Sequence, residues 1–156
     1  MLHIIARYAR RQTDLTIGLG LLLAALYVFF AVSQLVTFEK LPAFLADAFP
    51  GVAGEYVTIW VACLAIAEVF SVPFFLGMQL SAAMRGLSAA FGFIVAGYIV
   101  FLGYVTTNVT VLNTGLAGGY IGLPGGWWMA WFGAGILLLV VWYTVRSVAE
   151  AKTTRH

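Results

Sequence analysis

At 156 residues the chain has the length of one domain, but 63% of it is hydrophobic, only 9% is charged, and its mean hydropathy is +1.01. A soluble domain carries about 25% charged and ~45–50% apolar residues, so these figures exclude an ordinary soluble fold and make lipid the solvent. A net charge of +2 gives no basis for a nucleic-acid partner, and the single cysteine, Cys63, rules out an internal disulfide and paired-cysteine sites.

Taken in order, the chain begins with Leu2, Ile4, Ile5, Ala6 and Ala9 interleaved with Arg7, Tyr8, Arg10 and Arg11, a pattern that suits a short helix on an anionic leaflet. Residues 16–38 form the first of four apolar runs of the length needed to cross a bilayer; its 23 residues are long for a signal-peptide core, and the segment is expected to be retained. In the connection that follows, Pro42 suits the start of a short helix that Pro50-Gly51 ends, with Phe44, Leu45, Ala48 and Phe49 on one face as a roof over the bundle. The other spans are 57–78, 87–106 and 127–145, and the four together take up more than half of the sequence. Segments this long and continuous are helices, because no water is present in the hydrocarbon to satisfy an open backbone. The expected fold class is therefore all-α, a four-helix transmembrane bundle in a single integral membrane domain.

Within the third span Ser88, Gly92 and Ala96 recur every four residues, as Ala130 and Ala134 do in the fourth, and such small faces let helix backbones approach. Between these spans lies an uncharged connection with Gly115, Gly118, Gly119, Gly122, Gly125 and Gly126. It lacks the Lys-Ser/Thr ending of a phosphate loop, and reads equally as a flexible linker or as a segment that dips into the interface or covers another subunit. Trp127, Trp128 and Trp131 at one end of the fourth span, and Trp142 and Tyr143 at the other, are expected to anchor it at the two headgroup layers.

Basic residues set the orientation. Arg7, Arg10 and Arg11 precede the first span, Arg85 lies between the second and third, and Arg146, Lys152 and Arg155 follow the fourth, whereas only Lys40 falls on the other side. The positive-inside rule then makes both termini cytoplasmic, with Arg85 an inner-surface anchor.

One residue departs from the pattern. Glu68 is the only charged residue within any span, about midway along the second and ~15 Å from either edge at ~1.5 Å per residue. Facing lipid it would cost about 2.5–3.5 kcal/mol, so it must point inward, find partners or take up a proton. Ser71 shares its helical face, and Pro73 removes a helical hydrogen bond just beyond it. Tyr27 and Tyr98 lie at comparable depths in the first and third spans, and Ser33, Gln34 and Tyr104 lie nearer the outer surface. Glu68, Ser71, Tyr27 and Tyr98 are thus the candidate proton or ligand site, with Ser33, Gln34 and Tyr104 as its further polar neighbours. The alternative is that one buried acid simply ties helices together.

The order of these features resembles the DoxX-like family of small four-helix membrane proteins, with its DoxD and methylamine-utilisation MauE branches. The resemblance runs over roughly residues 21–104. It rests on Ser33-Gln-Leu-Val-Thr-Phe-Glu-Lys40-Leu-Pro-Ala-Phe-Leu45, on Ala65-Ile-Ala-Glu68, on Phe75-Leu-Gly77, and on Arg85-Gly-Leu-Ser-Ala-Ala90. It implies a redox-associated membrane protein, in some members a subunit acting with quinone, thiosulfate or respiratory oxidases.

The chain supplies no electron carrier of its own. It has no haem-attachment or dinucleotide motif, and His3 and His156 stand at the extreme ends, so no metal ligand set lies within a span. The leading expectation is an accessory subunit of a redox or respiratory assembly in a prokaryotic inner membrane, not catalytic on its own. It would touch lipid, other membrane subunits and a quinone near Glu68. One alternative is a DoxD-type thiosulfate:quinone electron-transfer subunit, although Lys40 is the one cation the outer loops offer an anion. Another is a non-redox assembly factor or structural subunit.

Overall fold

A computed structural model of the chain describes residues 14–48, 54–108, 112–119 and 121–153. Among these residues the regular elements are all helical: α1 (Asp14–Val36), α2 (Leu41–Ala48), α3 (Gly54–Phe75), α4 (Ala82–Val105), a 3-10 turn (Thr106–Asn108) and α5 (Trp127–Thr153). Four of them, α1, α3, α4 and α5, are long and apolar enough to cross a membrane, which makes this a multi-pass membrane protein. The expected basic helix over residues 2–11, the α2 terminator Pro50-Gly51, and Phe49 lie outside the described residues.

α1 packs on α3, α3 on α4, and α4 most extensively on α5, while α1 and α5 meet more sparsely to close the ring. Each neighbour runs antiparallel to the next. Gly20 near the start of α1 lies against the Phe75 carbonyl at the end of α3 and the Tyr143 ring late in α5, and Thr16 donates to Glu150 at 2.9 Å. The start of α1 and the end of α5 share one end of the bundle, here the terminal end. The other, the loop end, carries α2 and the glycine-rich connection.

Small residues set the helix spacing. A Cβ on Gly103 would overlap the Ala130 backbone, and one on Gly133 would lie 2.7 Å from the Val100 nitrogen, so α4 and α5 touch backbone to backbone. Ser88, Gly92 and Ala96 are buried, in keeping with the packing face read from their spacing.

Helix ends differ from the expected spans for identifiable reasons. The second span was expected to reach residue 78, but α3 stops at Phe75. Gly77 takes a φ of 63°, Met78 N–H bonds to the Pro73 carbonyl at 3.1 Å and Gly77 N–H to the Phe74 carbonyl at 3.1 Å. That is a Schellman stop, and the apolar Leu76 and Met78 conceal it from hydropathy. The Tyr143 hydroxyl lies 2.9 Å from the Phe75 carbonyl and 3.0 Å from that of Phe74, satisfying acceptors that a helix end leaves over. Consequently Glu68 stands seven residues from the end of α3, ~10 Å, rather than midway. α4 starts at Ala82, where the Ser81 hydroxyl accepts from Met84 N–H at 3.3 Å as an N-cap. α5 continues to Thr153 because the polar residues after 145 are good helix formers.

Candidate functional site

Glu68 faces the interior and has no accessible surface. Its Oε1 accepts from Gln34 Nε2 of α1 at 3.0 Å, and the same amide donates to the Leu116 carbonyl of the glycine-rich connection at 3.2 Å. One side chain therefore joins α1, α3 and the loop. Glu68 Oε2 and Gln34 Oε1 are buried without a hydrogen-bond partner, an expensive arrangement in a medium of low dielectric.

The loop reaches this depth because its glycines allow it to. Thr114, Gly115, Leu116, Ala117 and Gly118 are buried, so the connection is neither a free linker nor a cover for another subunit over this stretch; it plugs its own bundle. Gly118, at φ +71°, presses on the Ser33 carbonyl, where any Cβ would overlap. Thr37 ties the contact down: its hydroxyl donates to the Ser33 carbonyl at 2.8 Å and accepts from Gly119 N–H at 2.8 Å. At the other end of the loop, Gly126 N–H donates to the Thr106 hydroxyl at 2.9 Å. Leu41 and Leu45 of α2 are buried against the same region, while the side chains of Phe44 and Ala48, expected on that face, lie outside what the structure describes.

The other expected members are sorted by the fold. Tyr27 is fully buried, but its hydroxyl donates to the Gly92 carbonyl at 2.8 Å, not to Glu68. Ser71 is also buried and donates to the backbone carbonyl of Glu68 at 2.7 Å, so it braces the helix before Pro73 and leaves the carboxyl alone. Tyr98 is buried and lies 5.9 Å ring to ring from Trp60. Tyr104 is 64% exposed and stands outside the site, and Ser33 contributes its carbonyl. Arg85 is in the first turn of α4 and Cys63 is exposed on α3. Trp127, Trp128 and Trp142 are exposed, whereas Tyr143, expected beside Trp142 as an anchor, is buried; Trp128 Nε1 donates to the Pro124 carbonyl at 2.7 Å, and Arg146 lies over the Trp142 ring at 5.5 Å. Gln34 is thus the principal partner of the acid, and Thr37, Leu116 and Thr16 were not read from sequence as part of any polar contact.

Beside Gln34 lies a cavity bordered by α1, α2, α3, α4 and the loop, with Val61, Leu64, Tyr98 and Thr114 among its walls. Its volume of about 10 Å³ is near the minimum that holds one water. A space of this size does not hold a quinone ring. Among the described residues no three His, Cys, Asp or Glu side chains group as a metal site. The chain matches no family model, no curated protein and no solved structure.

Proposed function

We propose that the protein is an integral membrane accessory subunit of a redox or respiratory assembly in a prokaryotic inner membrane, with both termini cytoplasmic and Glu68 as its buried acid. The observation that carries this reading is the Glu68 carboxyl itself: wholly inside the bundle, held by one bond from Gln34, with its second oxygen unpaired. Acids at such depth are retained for proton or ligand handling more often than elsewhere. The resemblance to DoxX-like proteins supplies the redox setting, and the lack of any carrier motif in the sequence leaves electron transfer to a partner. Purification from native membranes in mild detergent is expected to recover the chain with a redox enzyme, and a partner-free monomer would contradict the proposal.

A second reading has its own support. Gln34 links α1, α3 and the loop through Glu68 and Leu116, which is what an acid serving only as packing glue would do in a structural subunit. Glu68→Gln separates the two: electron flux lost from an intact complex supports the first reading, and unchanged flux supports the second.

A further inference from the structure

We propose that Glu68 holds one proton on Oε2 and donates it to Gln34 Oε1, so that a neutral carboxylic acid and an amide close a two-bond pair between α3 and α1. The inference deepens the reading of Glu68 as an acid and rests on it, not on the assembly the protein joins.

The count of donors is the first ground. Glu68 and Gln34 are both buried, and Oε2 of the one and Oε1 of the other have no hydrogen-bond partner. Both atoms are acceptors, so an ionised Glu68 would leave two unpaired oxygens inside the bundle. Neighbouring hydroxyls are spent on backbone, Ser71 on the Glu68 carbonyl and Tyr27 on that of Gly92. One hydrogen serves both oxygens: it turns Glu68 Oε2 from an acceptor into a donor and gives Gln34 Oε1 its partner.

The orientation of the amide is the second. Gln34 Nε2 donates to the Leu116 carbonyl at 3.2 Å as well as to Glu68 Oε1 at 3.0 Å. A carbonyl only accepts, so the amide cannot be turned over without setting its oxygen against that of Leu116. Both groups are planar, and their terminal torsions turn over a broad range, so the second bond closes without backbone movement. Because the same amide holds Leu116, the acid proton also helps to keep the glycine-rich loop in place.

Space and charge are the third. Glu68 has no accessible surface and is not among the walls of the cavity beside Gln34, which are mostly apolar. A hydrogen between two oxygens needs no cavity. Among the described side chains, the titratable groups buried on the elements packed against α3 are Tyr27 of α1 and Tyr98 of α4, and Lys40, before α2, is exposed. Phenols are neutral at pH 7, so neither tyrosine supplies the counter-charge that a buried carboxylate requires.

The test is infrared spectroscopy of the purified chain at pH 7, with the carboxylic C=O band of Glu68 assigned by its loss in Glu68→Gln. That variant keeps both bonds of the pair, an amide N–H standing in for the acid O–H. The wild type is expected to show the band, at the lowered frequency of a hydrogen-bonded acid. In Gln34→Met, once circular dichroism shows it folded, the band is expected to move up to the position of an unbonded acid. No carboxylic band in the wild type, a wild-type band already at the unbonded position, or an unmoved band in folded Gln34→Met would overturn the proposal. The two wild-type outcomes decide it even where Gln34→Met does not fold, and failure to find a redox partner would leave all of them readable.

Discussion

The Glu68–Gln34 bond is a pair between helices whose energy can be isolated. Hydrogen bonds between helices in membranes are worth about 0.6 kcal/mol on average and up to ~1.7. Glu68 and Gln34 are buried and share one bond at 3.0 Å, which places them toward the upper part of that range. A double-mutant cycle with Gln34→Leu and Glu68→Leu, followed by unfolding in detergent, is expected to give a coupling of about 1 kcal/mol; a coupling near zero would deny the contact. The inward direction of Glu68 was legible because lipid penalises a carboxylate facing outward. Its partner was less so. Gln34 sits two residues from the end of α1, where hydropathy says little about which way a long amide points. Ser71 shares the right face, yet its short hydroxyl finds a backbone carbonyl closer than the carboxyl.

At the scale of elements, apolar length located all four spans, because that signal is set by bilayer thickness and little else. The ends followed local chemistry that a hydropathy window averages away, such as the left-handed Gly77 that stops α3. The glycine-rich loop was the hardest segment to read. Its composition suits either slackness or close approach, and only the tertiary partners Ser33, Thr37 and Gln34 decide between them. Gly118→Ala tests this directly: the left-handed backbone alone costs about 1–2 kcal/mol with a side chain, and the Cβ meets the Ser33 carbonyl. Amide exchange over residues 112–119 is expected to speed up in this variant while α1, α3, α4 and α5 stay protected. Unchanged protection of the loop would mean that it is not docked as described.

For the whole molecule, the antiparallel ring puts the start of α1 and the end of α5 at the same end, which the proposed orientation makes the cytoplasmic one. Leu112 at the loop end is 80% exposed. In a Cys63→Ser background, Leu112→Cys is expected to react with a membrane-impermeant thiol reagent added to intact cells. Labelling only after permeabilisation would invert the orientation.

If Glu68 serves as an acid and not merely as a strut, Glu68→Gln in the native host separates the two roles. Glutamine keeps the shape and can still accept from Gln34 Nε2 through its carbonyl oxygen, but it carries no exchangeable acid proton. The expected result is a normal amount of assembled complex in native gels with electron flux through it lost. Full flux in a complex of normal abundance would contradict the account and leave the carboxyl as a packing contact.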